Sequence, residues 1–349
     1  MLTFNINDGY LEALVKGFKN NLLKKEDYQH LTQCDNLEDL KVHLQSNSGL
    51  SAVLANEPSP IDVMTIEDRL REKLVSEFAY LRANAVAPLS EFLDFITYSY
   101  MIDNVVLLIS GTLNERPLSE LVPKCNPLGI FDQMEAVTIA NTPTELYNAI
   151  LIDTPLGEFF MDSITMDEIP EMDPEIIRNV LYRTYLEKFH KFVSQIGGQT
   201  GEVMQDIIEF EADRRSFIIT LNSFGTGLDR EDKKKLYPKC GKLGQAGLEI
   251  LARAEGEENI RMAADSQSCY ASLFDSSSDG FNQNNTTLED KLYQLEAQKM
   301  MLSFLVPFNY GVFYAWLKLK EQEIRNVIWI AECIAQGQRG KIDSYIAVL

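Results

Sequence analysis

One stretch constrains this chain more than any other: residues 320–336, which hold neither Gly nor Pro. Ile324, Val327, Ile328 and Ala331 recur there at i, i+3, i+4 and i+7, the spacing of one helix face. Glu321 stands four residues before Arg325, the favoured order for a charged pair on a helix. A charged start passes into an apolar half. This predicts a helix whose first turns meet solvent or a partner while the rest enters a core. Weaker forms of the same pattern stand at residues 101–109 and 213–221. Each has a charged residue, then Asn or Ser, then an apolar run. The small polar residues Asn104, Ser216 and Asn326 are separated by 112 and 110 residues.

A second element repeats in step. Residues 37–54, 143–160 and 257–274 align without gaps, matching Leu40 with Leu146 and Ile260, and Leu54 with Phe160 and Phe274. Two elements with similar periods predict a threefold internal repeat. Strand-like alternation and hairpin signals are nearly missing, so the class expected is all-α. Long helices are expected over 65–83, 88–113, from Pro174 to Gly197, over 202–224 and over 288–305. Further helix starts are read at Pro143 and Pro155, and residues 275–287 read as an exposed loop. The repeat sets lobes at 1–100 (sharing helices with the C-terminal segment), 101–212 and 213–349. These boundaries fall inside long helices, which suits three lobes that share them.

A chain of 349 residues is long for one core and suggests two or three domains, and its 45% hydrophobic content is ordinary for a globular protein. Its formal charge of −20 disfavours a nucleic-acid surface, which needs a basic face, and disfavours docking on anionic lipid. Lys233-Lys234-Lys235 is the local exception and reads first as a solvated helix surface. Five scattered cysteines with no CxxC fit a reducing compartment and read as small buried apolar side chains. The N-terminus lacks the basic and apolar regions of a signal peptide. The most apolar window read, 301–317, contains Pro307, Asn309 and Gly311 and is expected to be a buried helix, with no direct membrane span.

Chemistry-bearing motifs are sparse. Gly241, Gly244 and Gly247 lack phosphate-loop spacing, and GxSxG and HExxH are missing. Glu187 and His190 form one ExxH, but a di-iron bundle needs a second ExxH and two more glutamates. Glu209, Glu211 and Asp213 precede Arg214-Arg215; Glu211 and Arg215 read as a helix-surface ion pair rather than as general acid or base. Trp329 lies among apolar neighbours and reads as core or as a binding anchor. The residues alone give an acidic, all-α, three-part repeat protein, a scaffold or adaptor with no metal, cofactor or catalytic group expected.

Longer blocks carry a resemblance. They are Phe4-Asn5-Ile6-Asn7-Asp8-Gly9-Tyr10-Leu11-Glu12, Leu37-Glu38-Asp39-Leu40-Lys41, Phe92-Leu93-Asp94-Phe95-Ile96-Thr97-Tyr98-Ser99-Tyr100 and its continuation to Val105. Leu151-Ile152-Asp153-Thr154-Pro155-Leu156, Glu175-Ile176-Ile177-Arg178-Asn179, Phe210-Glu211-Ala212-Asp213-Arg214-Arg215 and the 320–336 stretch follow in order. Together they resemble the family that joins the d subunits of eukaryotic vacuolar-type proton ATPases to the C subunits of archaeal-type ATP synthases. The resemblance implies three similar helical lobes with pseudo-threefold symmetry, forming a funnel around a central cavity. It implies a non-catalytic rotor subunit, one copy per complex, on the cytosolic face of vacuolar, endomembrane or plasma membranes. Its expected partners are the c-ring proteolipid subunits and the central-stalk subunits; a free-standing adaptor outside the pump is the alternative. The chain departs from the family where Asn126 replaces a usual His, and at Ser46-Asn47-Ser48-Gly49-Leu50 and Gly244-Gln245-Ala246-Gly247. Glu321, Glu323, Arg325, Trp329 and Cys333, with Phe95 and Phe210, are the expected coupling residues. The competing reading makes all of them core or intrachain pairs.

Overall fold

The computed structural model describes residues 2–47, 49–131, 134, 145, 148, 154–161, 163–164, 173–270, 273 and 287–346. Among them every regular element is helical. In chain order these are α1 (Leu2–Asn7), α2 (Gly9–Asn20), α3 (Lys25–Thr32), α4 (Leu37–Ser46), α5 (Val63–Asn84), α6 (Leu89–Leu113) and α7 (Leu118–Leu121). They continue as α8 (Gly157–Met161), α9 (Pro174–Ile196), α10 (Gly198–Asn222), α11 (Arg230–Leu236), α12 (Gly244–Ala252), α13 (Glu257–Asp265), α14 (Leu288–Ser303) and α15 (Gly311–Ala335). Short 3-10 turns stand at Val122–Lys124, Pro127–Gly129 and Arg339–Lys341.

Helix ends follow local chemistry. Asp173 accepts the Glu175 N–H with Pro174 at the first position of α9. Gly197 closes α9 at φ 66° and Gly198 opens α10 at φ 55°. α10 therefore begins four residues before the expected 202. Thr287 caps α14 in a capping box with Asp290. The amphipathic face read on α9 is buried: Ile177, Val180, Leu181, Thr184 and Tyr185 all face inward.

The chain divides into two compact units. One comprises Met1–Leu93 and Thr287–Leu349, the other Asp94–Thr286. In the first, α15 packs against α2, α5 and α14 and touches α3 and α4. In the second, α9 and α10 form an antiparallel pair about which α11, α12 and α13 gather. The described members of the second repeated element behave alike. Residues 37 and 257 each open a helix, and Leu40, Ile260, Leu54 and Phe160 are all buried. Leu146, Phe274, the start at Pro143, residues 151–153 and the 275–286 loop lie outside the described residues.

The structure corrects several expectations: of the five cysteines read as small buried side chains, Cys269 is exposed and Cys240 half-buried. Residues 301–317 are not one helix: α14 stops at Ser303 and α15 starts at Gly311, with Phe308 between them at φ 59°. Among the described residues, the helix that meets the length and composition of a membrane span is instead α6, at mean hydropathy 1.5. Its residues Leu93, Ile96, Ile102, Val105, Leu108 and Ile109 are buried within the protein, which supplies their apolar surroundings. Finally, the lysine trio is not wholly a solvated face, because Lys233 is buried and donates to the Ala254 carbonyl at 3.3 Å.

Candidate functional site

The most concentrated polar feature of the first unit lies in the middle of α15. The charged start of the 320–336 stretch was expected to open a helix and meet solvent or a partner, but the helix begins nine residues earlier, at Gly311. The structure buries much of that start: Lys320, Gln322, Glu323 and Asn326 are all within the core. A helix that packs against α2, α3, α4, α5 and α14 keeps only a narrow outer stripe, through Lys318, Glu321, Arg325 and Trp329. Buried polar groups then require partners, and each has them. The Lys320 ammonium donates to Glu323 Oε2. Glu323 Oε1 accepts the Leu23 N–H at 2.6 Å, pinning the segment between α2 and α3. Gln322 donates to Asn326 Oδ1 at 2.8 Å. Asn326 in turn holds the backbone of Ile346, donating to its carbonyl at 2.5 Å and accepting its N–H at 3.2 Å. Tyr28 lies beside this cluster, and burial, then the Glu323 charge, push its hydroxyl well above the usual tyrosine range.

The other residues singled out on α15 sit nearer the surface. Glu321 pairs with Lys318 at 3.0 Å. Arg325 is exposed, donates to Gln322 at 2.7 Å and lies 4.4 Å from the Tyr293 ring centre. Trp329 is 39% exposed, the only tryptophan of the two that reaches solvent, and its indole N–H donates to the Lys341 carbonyl at 3.1 Å. Cys333 is buried one turn further on, and burial raises its thiol. Trp329 thus rests on the returning C-terminal segment rather than inside the core.

Phe95 and Phe210 belong to the second unit and do not join this cluster. Phe95 stacks on Phe192 with ring centres 4.4 Å apart and on Phe189 at 5.4 Å. Phe210 is fully buried, 6.3 Å from the Tyr270 ring. Both rings pack within their own unit.

The second unit has its own buried polar centre, built on an aspartate that the repeat pattern marks without announcing its burial. Asp213 is 1% exposed. Its carboxylate accepts the Lys242 N–H at 2.8 Å, the Leu243 N–H at 3.2 Å and the Tyr270 hydroxyl at 2.7 Å. Burial outweighs these hydrogen bonds and raises its pKa to about 6. The Glu211 pair is likewise no surface feature. Glu211 is buried, accepts from Arg214 at 2.8 Å and from Arg215 at 3.1 Å, and Arg215 lies over the Tyr182 ring. A third centre is Asn104, which clamps the backbone of Asn126 by donating to its carbonyl at 2.9 Å and accepting its N–H at 2.7 Å.

These centres share a pattern. Asp213 stands three residues before Ser216, and Glu323 three before Asn326. Both acids receive a backbone N–H from a segment distant in sequence. Asn104 and Asn326 hold backbone 22 and 20 residues downstream in the same two-bond manner. The visible signal was an acid three positions ahead of the aligned small polar residue. The ExxH pair is used otherwise: Glu187 accepts the Lys239 N–H and His190 faces Glu209 at 3.4 Å. Among the described residues no group of three or more His, Cys, Asp or Glu is placed to hold a metal ion.

Known proteins of similar sequence bear on what such a device serves. Residues 11–345 match the family described as ATP synthase (C/AC39) subunit. The chain is 49% identical over 349 residues to V-type proton ATPase subunit d of Dictyostelium discoideum, covering 100% of this chain and 97% of that protein. It is 40% identical over 348 residues to V-type proton ATPase subunit d of Saccharomyces cerevisiae, covering 99% and 98%. A more distant likeness, 19% over 334 residues, is to the C subunit of the A-type ATP synthase of Pyrococcus abyssi, covering 94% and 86%.

Proposed function

Because the chain belongs to the ATP synthase (C/AC39) subunit family, we propose that it is the subunit d of a V-type proton ATPase, acting as a non-catalytic rotor part. In this reading it is a socket, one copy per complex, on the cytosolic face of the membrane. It links the central stalk to the proteolipid c-ring, so that ATP hydrolysis drives proton transport. The observation that carries the reading is the continuous match to proteins named subunit d, 40–49% identical along essentially their whole length.

The physics of such a part is stiffness, since a socket that transmits torque must deform little. Close-packed helices are poorly compressible, and buried polar clamps such as Glu323 on Leu23 and Asn326 on Ile346 fix the segments between helices. Three lobes around a central cavity, with boundaries near residues 100 and 212, remain part of the proposal. Trp329, Arg325 and Glu321 are the coupling candidates on α15 because they lie toward its surface, with Glu323 and Cys333 supporting them from within.

The test is a detergent pull-down of the tagged chain, with co-purifying proteins identified by mass. Stoichiometric c-ring and central-stalk proteins are expected; a clean monomer would move the chain outside the pump. Trp329→Ala is expected to leave the chain folded and ATP hydrolysis intact while proton pumping per ATP falls. A variant that simply unfolds would make Trp329 a stability residue.

A further inference from the structure

One cleft in the second unit reverses the sign of the chain. It encloses about 650 Å³ and is lined by Arg183 from α9, by Glu231, Lys234 and Lys235 from α11, and by Lys239 and Glu249 among others. Such a volume suits a peptide segment or small molecule. Its cations outnumber its acids, although the whole chain carries −20. Charges farther off than about 8 Å are largely screened at physiological salt, so the local sign governs what enters.

The acids of the cleft are already charge-paired, though each carboxylate keeps lone pairs for further donors. Glu249 is met by Arg230, by Lys234 at 2.8 Å and by Arg253 at 3.0 Å. Glu231 accepts from Lys234 at 3.0 Å. Lys235, with its side chain 71% exposed, pairs only across one helix turn with Asp232, and the exposed Lys239 has its backbone rather than its ammonium anchored, on Glu187. Arg183 donates to the Lys235 carbonyl, which steadies a guanidinium that has further N–H groups to offer. These two ammonium groups and the Arg183 guanidinium are the ones placed to receive a new anion.

We propose that this cleft docks an acidic peptide segment of a partner protein. Carboxylates would seat on Arg183, Lys235 and Lys239, and the peptide's N–H groups would face Glu231 and Glu249. A wall of both signs fits a chain that offers acceptors and donors alternately. A polyphosphate offers acceptors only and has no donor for the remaining lone pairs of Glu231 and Glu249. The inference does not depend on the rotor reading, since it rests on the charge and geometry of this unit alone.

The experiment is fluorescence anisotropy of a fluorescein-labelled peptide of alternating glutamate and glycine, titrated with the full-length chain at two ionic strengths. Binding that weakens with salt and falls about tenfold or more in a Lys235→Glu, Lys239→Glu double variant supports the site. Both side chains are exposed, so the variant should fold; a thermal melt checks this, and the Lys235→Ala, Lys239→Ala pair replaces it if it does not. Lys25→Glu, an exposed charge reversal in the other unit, is expected to bind as the unaltered chain does. Failure of the peptide to bind, an equal loss in Lys25→Glu, or displacement by micromolar pyrophosphate would each overturn the proposal.

Discussion

Lys320 and Glu323 form an ion pair with both side chains almost fully buried. Removing either partner strands the other charge in the core, which costs roughly 3–5 kcal/mol. Glu323→Ala should therefore lower the thermal midpoint sharply, whereas Lys320→Met with Glu323→Leu should recover part of the loss, the Leu23 N–H remaining without its acceptor. Circular dichroism melts of the variants check this, and a double variant no better than Glu323→Ala would contradict it. Asp213 gives a pH signature. Burial lifts it from 3.8 to about 6, so between those values the folded chain holds a proton that the unfolded chain has released. Its contribution to stability thus grows as pH falls through 6 and is complete below the ordinary carboxylate value. The full span is on the order of 3 kcal/mol. Asp213→Asn should remove this component, so the stability difference between variant and parent should drift across that window; a constant difference would mean that Asp213 titrates normally.

At the scale of elements, the clamps tie irregular segments to long helices. Asn104→Ala and Asn326→Ala each take two hydrogen bonds from backbone, at Asn126 and at Ile346, and each should cost roughly 1–3 kcal/mol. Hydrogen exchange should show the Ile346 and Asn126 amides losing protection while the helix interiors keep theirs. Two glycines let the segments approach. A Cβ on Gly241 would stand 2.0 Å from Asp213 Oδ1, and one on Gly129 would meet the Tyr100 carbonyl at 2.4 Å. Helix ends were legible because their causes are local: Asp173 at α9 and the Thr287–Asp290 box at α14 act within three residues. The break between α14 and α15 was not. Phe308 takes a positive φ with its N–H held by Glu12, 296 residues away, and nothing near Phe308 in sequence announces that partner.

At the scale of the molecule, a charge of −20 is a long-range field. If the stalk meets this chain through a basic foot, complementary fields would orient docking, and the association rate should fall steeply as salt rises. Stopped-flow association with isolated central stalk between low and physiological salt measures this; a rate indifferent to salt would remove the electrostatic part. The family membership that frames this prediction was readable from ungapped blocks such as 92–105 and 320–336, because a whole-length pattern of side chains survives where short motifs do not.

By itself the sequence determined the all-α class, most helix boundaries and the family, since periodicity, caps and residue order are properties of neighbours along the chain. The tertiary structure alone decided burial. It took Lys320, Gln322, Glu323 and Asn326 inside, put Asp213 and Glu211 into a core, and left Trp329 at the surface. Helical spacing tells which residues share a face but not how many neighbours pack around the helix. On α15, with α2, α3, α4, α5 and α14 around it, only a narrow stripe through Glu321, Arg325 and Trp329 stays outside, and the buried polar groups persist because Leu23 and Ile346 arrive from distant sequence to bind them.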